Sequence, residues 1–408
     1  MNVDDLVRDA FQEEVGADSV TASPHLADRV LSLRRRRRTR RLASLAATTA
    51  VAVAVGVALP LLGGSGHGVR PASEMNRSDI IAHPDQSPPK DLIAAGDTVL
   101  SAFYVSKNVK QPNGDSVSQR VYGLLDQKAG TYKQADWAFL DVAPGSRTAA
   151  VLEGELPAKR IGLLDLTTGE VDRWITLDRG VAAVAFSPDG TKLVATTYAK
   201  NPDRNFADHP QNVNGKVVPG PVPSRTGFSV VDVDSGKTDW HKAPLRKDKT
   251  GLFGNNRRED FEWSHDGTLV YARTVLKPFR EYYRLDGDRA DRPAEEKAVG
   301  QAEAALSPDG KLAAGGFAGH GTTIASAILD PRTGEQITTV PGQQLLAWAD
   351  DKRLIAWGCD PKKCGGKGEF RNQLLLVTIG TDKVVPLSDF RKASDDYPGR
   401  WSPLFSSR

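Results

Sequence analysis

The stretch AFSPDGTKLVATT at residues 185–197 decides the fold, because it encodes a tight turn between two strand-like runs. Its proline presets a turn dihedral, its aspartate hydrogen-bonds to nearby backbone, and its glycine adopts positive φ without steric cost. The same pattern returns as ALSPDGKLAAGG at 305–316 and, more loosely, as EWSHDGTLVYAR at 262–273. Each copy therefore predicts a β-hairpin.

The spacing of these hairpins predicts a repeat architecture. The apolar residue before each turn serves as a marker, and successive markers are 44, 77, 43, 42 and 53 residues apart. These markers are Val142, Phe186, Trp263, Leu306, Trp348 and Trp401. Each repeat adds a second pair of strand-like runs joined by a polar turn, as in IGLLDLTTGEVDRW at 161–174. Four short antiparallel strands in about 42–45 residues are typical of a β-propeller blade.

These motifs carry a family resemblance. The combination of FSPDG or LSPDG with later TTGE or RTGE turns is similar to the TolB-type, WD-repeat-like β-propellers, over about residues 96–408. The resemblance implies the fold but not one function, because such propellers host binding, scaffolding and catalysis. The chain lacks the Trp-Asp dipeptide of true WD repeats.

The ends of this region predict how the repeats close. DTVLSAFYVS at 97–106 resembles a second strand without a first, and GRWSPLFS at 399–406 resembles a first strand with nothing after it. Pairing the two would complete one blade and remove a loose edge strand. The sequence thus predicts an all-β, six-bladed propeller of four-stranded antiparallel blades at 96–408.

A basic run followed by an apolar run predicts a membrane anchor. Residues 42–62 carry no charge, and as a helix they would span about 31 Å, the thickness of the hydrocarbon core. The preceding arginines predict an N-in, C-out single pass through the cytoplasmic membrane, with the propeller outside. These orienting residues are Arg34, Arg35, Arg36, Arg37, Arg38, Arg40 and Arg41. A cleaved export signal, which would leave a secreted propeller, and a buried core helix are the alternatives.

Two further segments flank this predicted span. Residues 1–41 predict a cytoplasmic amphipathic helical tail, whose apolar faces either pack on each other and on lipid or bind a cytoplasmic regulatory partner. The layout is similar to that of single-span regulators of the anti-sigma type. Residues 63–95 mix Gly, Ser and Pro with little periodicity and predict a flexible stalk.

The charge balance and the motifs exclude several functions. Lys and Arg number 54 against 51 Asp and Glu, and the rest of the chain after the tail at 1–41 keeps a net charge of only +1, so no nucleic acid is expected as a ligand. Neither H-E-x-x-H nor G-x-S-x-G occurs, so no cofactor, metal or catalytic residue is expected. Cys359 and Cys364 are too few for a structural zinc site and predict a local disulfide, with free thiols as the alternative.

The long segments between strands predict a binding face. In an antiparallel blade the b–c loops and the links between blades lie on one side, and segments 106–119, 201–225, 241–260 and 359–370 all belong to it. Basic residues there suggest an anionic cell-wall polymer or acidic protein as the ligand, or else solvated loops with local carboxylates as partners. The candidates are Arg204, His209, His241, Lys242, Arg246, Lys247, Arg257 and Arg258.

Together these features predict a membrane-anchored, extracytoplasmic propeller that binds a protein or cell-envelope ligand, with the tail as a route to a cytoplasmic partner. It is not expected to be an enzyme. A lactonase- or lyase-like propeller enzyme with a site in the central channel is the rival class, and a structural scaffold is the third.

Overall fold

The protein is described here by a computed structural model of the 408-residue chain. The structure describes residues 80–245, 258–274, 278–320, 323–360, 372–391 and 400–408. Apart from one 3-10 turn at Ala294–Glu296, the regular structure in these ranges is entirely β-strand. The prediction of an all-β chain is therefore confirmed.

Twenty-six strands lie in the described ranges. The first nine are β1 (Ile80–Ile81), β2 (Ala94–Ala95), β3 (Thr98–Lys110), β4 (Ser116–Asp126), β5 (Thr131–Ala135), β6 (Phe139–Val142), β7 (Thr148–Leu152), β8 (Ala158–Asp165) and β9 (Val171–Phe186). The next nine are β10 (Lys192–Tyr198), β11 (Arg204–Val213), β12 (Lys216–Pro221), β13 (Arg225–Asp232), β14 (Thr238–Lys242), β15 (Phe261–Trp263), β16 (Leu269–Arg273), β17 (Arg280–Arg284) and β18 (Arg289–Ala290). The last eight are β19 (Ala313–Phe317), β20 (Ala325–Leu329), β21 (Gln336–Pro341), β22 (Gln344–Asp350), β23 (Arg353–Gly358), β24 (Gln373–Thr378), β25 (Val384–Pro386) and β26 (Trp401–Ser407).

The repeated SPDG motif forms the hairpin that its residues predict. Phe186 on β9 pairs with Leu193 on β10, and the N–H of Gly190 donates to the carbonyl of Ser187 at 2.8 Å. Gly190 has a φ of +72°, a conformation that disfavours any side chain. The Ser187 hydroxyl donates to the Asp189 carboxylate at 2.5 Å, and equivalent serine–aspartate bonds occur in the other two copies.

Within the described ranges the strands form antiparallel sheets of eight, seven, four, three and four strands. The sheet of seven runs from β14 to β6 through β9, whose first half pairs mainly with β8 and whose second half pairs with β10. In the sheet of three, β19–β21, a single bridge from Leu306 to Ala313 stands where other repeats have their first strand. This organisation is consistent with a β-propeller.

The two ends of the repeat region pair with each other. β26 runs antiparallel to β3, with Trp401 opposite Val105. In this register Phe405, opposite Leu100, occupies the place that the marker residue has in the other repeats. The choice of Trp401 as the last marker was therefore wrong by four residues, because the strands of this pair belong to opposite ends of the chain and need no turn sequence between them.

Residues 80–95 belong to the first sheet and do not form a flexible stalk. β1 pairs with β2, and β2 pairs with β3. Leu92 and Ile93 are buried, Ile93 with no exposed surface. The stalk prediction for 63–95 is therefore wrong over its last sixteen residues, because the apolar LIAA run buries its side chains.

Two segments that were expected to be loops are β-hairpins. Residues 106–119 continue β3 and β4 beyond the body of the sheet, and the strands stay paired as far as Lys110 opposite Ser116. Residues 201–225 contain the hairpin β11–β12. Its prolines obscured the strand pattern in the sequence. Pro219 and Pro221 are tolerated because β12 is an edge strand.

Apolar side chains are buried between and within these sheets. The largest cluster involves β6 to β10 and includes Leu152, Ile161 and Leu193. A second cluster lies where the two ends of the repeat region meet, and there the rings of Trp357 and Trp401 lie 4.9 Å apart. Packing therefore holds β26 in place together with its hydrogen bonds.

The remaining predictions about the N-terminal region fall outside the described residues. These are the tail at 1–41, the apolar run at 42–62, the orienting arginines, and residues 63–79 of the expected stalk. Among the residues that the structure describes, no helix has the length and apolar character needed to cross a membrane.

Candidate binding face

The hairpins β3–β4 and β11–β12 join into one sheet. Arg204 and Asn205 of β11 lie opposite Val117 and Ser116 of β4, so the order of neighbouring strands is β3-β4-β11-β12. The hairpin inserted after β10 thus pairs with a strand of the first sheet, although β10 belongs to the seven-stranded sheet. We call residues 106–119 and 204–221 the hairpin shelf.

An ionic cluster centred on Asp203 fixes the base of this shelf. The Asp203 carboxylate accepts hydrogen bonds from Nε and Nη2 of Arg258 at 2.7 and 2.6 Å. It also accepts from Nη1 and Nη2 of Arg120 at 2.7 and 3.3 Å. Only 9% of the Asp203 side chain is exposed. One buried carboxylate therefore binds two guanidiniums that come from β4 and from the residues just before β15.

The neighbouring guanidiniums explain why Asp203 is ionised although it is buried. Burial would raise the pKa of Asp203, but the hydrogen bonds and charges of Arg258 and Arg120 outweigh burial and hold that pKa well below its usual range. Both guanidiniums also lie over the ring of Phe139, at 5.1 and 5.3 Å from its centre. Asp203 is therefore ionised at neutral pH.

A second carboxylate extends the cluster to β10. Asp260 accepts from Nη1 of Arg258 at 3.0 Å and from the hydroxyl of Tyr198 at 2.7 Å. Burial raises the pKa of Tyr198 well above its ordinary value, and the negative charge of Asp260 adds to this effect. Tyr198 is therefore a permanent hydrogen-bond donor, and it links the end of β10 to the residues that lead into β15.

A separate set of contacts ties β11 to the turn between β3 and β4. Asp115 accepts from Nη1 of Arg204 at 3.3 Å and from the backbone N–H of Ala207 at 2.9 Å. Arg204 also pairs with Glu155, from the segment between β7 and β8. These contacts join the two hairpins of the shelf to each other and to the segment between β7 and β8.

The predicted basic residues that the structure describes are not gathered into one open anion site. Arg204 and Arg258 direct their guanidiniums to the internal carboxylates named above. His209 lies 2.9 Å from Asp208, His241 lies 3.6 Å from Asp239, and Lys242 is exposed at the end of β14. Arg246, Lys247 and Arg257 lie outside the described residues.

The outer part of the shelf exposes apolar and basic side chains. Val217 is 76% exposed, and Val213 and Val109 are exposed to 43% and 36%. Exposed lysines accompany them at 107, 110 and 216. Short apolar side chains displayed on a rigid hairpin suit contact with another macromolecule better than they suit solvent.

Sequence reasoning missed a further polar cluster, in the sheet β15–β18. Glu262 accepts from the hydroxyl of Tyr271 at 2.6 Å and from Nη2 of Arg273 at 3.0 Å. Burial opposes ionisation of Glu262, yet Arg273 and Tyr271 keep its pKa below the usual value. The signal was present in the sequence as charged and tyrosine side chains at alternate positions of strands in EWSHDGTLVYAR, but the identity of the partners depends on strand register.

Asp141, on β6, is a further, partly buried carboxylate that the sequence did not single out. It accepts from the backbone N–H of Phe186 on β9 at 2.8 Å. Burial raises the pKa of Asp141 to about 6, and the negative charge of Glu262 contributes to the rise. The hydrogen bond with Phe186 ties β6 to β9.

The described residues include only part of the sites named in the cysteine and metal predictions. Cys359 takes part in a disulfide bond, whereas Cys364 lies outside the described residues. No group of three or more His, Cys, Asp or Glu side chains arranged for a metal ion occurs in the part of the chain that the structure covers.

Comparisons with known proteins concern the fold. No family model matches the chain, and no curated protein matches it. Similar solved structures include TolB from Acinetobacter baumannii, with 17% identity over 77% of this chain and 68% of that one, and a TM-score of 0.39. The acylaminoacyl peptidase of Pyrococcus horikoshii shows 14% identity over 73% and 45%, with a TM-score of 0.38. Hydrazine synthase of Kuenenia stuttgartiensis shows 14% over 62% and 66%, with a TM-score of 0.33.

This chain spans less than half the length of the peptidase and about two thirds of the other two proteins. Similarity at this level identifies neither an activity nor a ligand.

Proposed function

We propose that the protein is a membrane-anchored, extracytoplasmic six-bladed β-propeller that binds a protein partner on the hairpin shelf. The shelf carries this proposal: a hairpin inserted in one repeat pairs with the extended hairpin of another and is fastened there by buried ions. No residue of β11 is buried, so the inserted hairpin adds little to the apolar core of the blades. A rigid projecting surface is instead what recognition of a macromolecule needs.

Six blades of four strands would use the described strands except β1, β2, β11 and β12. The strands divide into groups of four, in order from the inner to the outer strand. They are β26-β3-β4-β5, β6-β7-β8-β9, β9-β10-β13-β14, β15 to β18, the bridge at Leu306 with β19 to β21, and β22 to β25. In this grouping β9 serves twice, and the shared first group uses both ends of the chain. The strand pairing of β26 with β3 supports this count, since it completes a four-stranded group.

The membrane anchor rests on the sequence. Seven arginines followed by 21 uncharged residues favour an N-in single pass, and the propeller would then lie outside the cytoplasmic membrane. A disulfide at Cys359 supports an oxidising location, because disulfides seldom persist in the cytosol. The tail would remain in the cytoplasm, where it is available to a regulatory partner.

Topology is tested with the full chain carrying a tag at each end in a bacterial host. Protease added to intact cells should remove the C-terminal tag and leave the N-terminal tag protected. Release of the propeller into the medium without residues 1–62 would instead identify a cleaved export signal and would overturn the anchor.

Binding is tested by placing a photo-crosslinking amino acid at Val217 of the shelf or, as a control, at Ile337 of β21, which is 55% exposed. The same discrete protein adduct should form from Val217 and not from Ile337. It should also weaken in Asp203→Asn, which loosens the base of the shelf. Equal adducts from both positions, or none from Val217, would argue against the shelf as the binding face.

A further inference from the structure

A buried arginine in the sheet β15–β18 has donors that the protein does not use. Arg280 opens β17, and 2% of its side chain is exposed. Its Nη1 donates to Glu296 at 3.1 Å, and its guanidinium lies 4.2 Å from the centre of the Tyr271 ring. Nε and Nη2 are buried as well, and within the described ranges neither has a hydrogen-bond partner.

Such donors call for an acceptor. A buried polar group without a partner costs about 1–3 kcal/mol, and a charged group costs more. In native proteins a site of this kind often holds a water molecule or an ion. The two unused N–H groups of Arg280 lie in the plane of one guanidinium, which is the arrangement that receives two oxygens of one ligand group.

A second arginine repeats the pattern nearby. Arg292 donates to the carbonyl groups of Lys297, at 3.0 Å, and Pro278. Its Nε is buried and also lacks a partner among the residues described. The carbonyl contacts fix the Arg292 guanidinium, so its unused donor has a defined position beside the start of β17.

Both arginines line one cavity. It has a volume of about 260 Å³ and lies between residues 278–282 and residues 289–292. Arg289 also lines it, as do the carboxylates Glu281 and Asp291. Glu296, behind the lining, pairs with Arg280, so the three guanidiniums and the three nearby carboxylates balance in charge, and the case for a ligand rests on the unused donors. The volume exceeds the roughly 30 Å³ that one water molecule occupies in the liquid.

We propose that this cavity, the Arg280 site, binds a small oxyanion, namely a carboxylate or phosphate group whose oxygens accept hydrogen bonds from Arg280 and Arg292. The guanidinium fork suits two oxygens of one ligand, whereas a lysine offers a point charge without this geometry. The site is distinct from the hairpin shelf and does not depend on the function proposed above.

The test is isothermal titration of the purified full-length protein with sodium acetate and, separately, with inorganic phosphate. The variants are Arg280→Lys and a matched control, Arg284→Lys, on the same strand. Arg284 is half exposed and pairs with Asp288 at 3.1 Å. Both substitutions keep the charge and remove the guanidinium, so they differ only in the site that they alter.

Saturable binding of one of the two anions, with a dissociation constant on the order of 1 mM, is expected for the wild type. Arg280→Lys should weaken it about tenfold, and Arg284→Lys should leave it unchanged. The anion that binds tells whether a planar carboxylate or a tetrahedral phosphate fits. If circular dichroism shows that Arg280→Lys is unfolded, Arg292→Lys takes its place, with the same loss expected. No saturable binding of either anion, or an unchanged affinity in the folded variant, would overturn the proposal.

Discussion

Replacing Asp203 by asparagine is expected to be among the most damaging conservative changes in the chain. The substitution keeps the shape of the side chain but removes its charge and one of its two acceptor oxygens. Arg258 and Arg120 would lose the carboxylate that accepts four hydrogen bonds from them. Of the two arginines, Arg258 also pairs with Asp260.

The magnitude follows from burial. The side chains of Arg120, Asp203 and Arg258 are exposed to 14%, 9% and 14%, so water cannot replace the lost partner. Removing one member of a buried ion pair costs about 3–5 kcal/mol, because an uncompensated charge stays behind. We expect the free energy of unfolding of Asp203→Asn to fall by this amount.

The assay is urea denaturation of the full-length protein, with Asp208→Asn as the control. Asp208 lies on the same hairpin, its side chain is 75% exposed, and its partner is the neighbouring His209, so the control should leave the unfolding midpoint unchanged. Amide hydrogen exchange should also speed up within 204–221 in Asp203→Asn alone. A loss below about 1 kcal/mol, or an equal effect of both substitutions, would refute the view that this ion cluster holds the shelf.

The pH dependence of the same variant has a definite sign. The folded-state pKa of Asp203 is lowered, so its contribution is complete above the unfolded-state pKa, near 4, and is lost as pH falls towards the folded-state value. The free energies of unfolding of wild type and Asp203→Asn should therefore differ by a constant amount between about pH 5 and 8, and the difference should shrink only in more acidic solution.

Three other predictions concern stability. Because the pKa of Asp141 is raised to about 6, the folded state binds more protons than the unfolded state between about pH 4 and 6. The free energy of unfolding should therefore fall by up to about 3 kcal/mol as the pH rises from about 4 to 6. Urea denaturation of Asp141→Asn should lack this fall, and a profile identical to wild type would contradict the raised pKa. In Gly227→Ala the new Cβ would overlap the backbone carbonyl oxygen of His241, whereas the Cβ of Gly300→Ala meets nothing within 4 Å. Thermal unfolding should therefore show a stability loss of about 1–3 kcal/mol for the first variant and almost none for the second. Equal unfolding midpoints would count against the pairing of β13 with β14. Deleting residues 401–408 removes β26 and leaves one edge of β3 unpaired. Gel filtration should then show association or aggregation instead of the wild-type elution profile. An unchanged profile would show that the pairing of β26 with β3 is dispensable.

The sequence determined the local structure of this protein. Pro188, Asp189 and Gly190 specify a turn through their own backbone preferences, and the turn forms as predicted. Repetition of that motif at nearly equal steps was enough to predict an all-β chain of antiparallel sheets. Each end of the repeat region resembles a strand without a partner, which predicted that the two ends pair, and β26 does pair with β3. These features depend on short-range patterns, which one sequence displays.

The tertiary structure decided what depends on register and burial. Residues 201–225 carry no clear strand period, because their outer side chains are exposed and the hairpin is defined by its pairing with β4. Arg258 and Arg204 were predicted to face a ligand, but the structure places carboxylates within 2.6–3.3 Å of them. Whether a basic side chain is available to a ligand depends on which acids the fold brings beside it. Asp260 lies two residues from Arg258, but Asp203 and Asp115 lie 55 and 89 residues from the arginines that they bind.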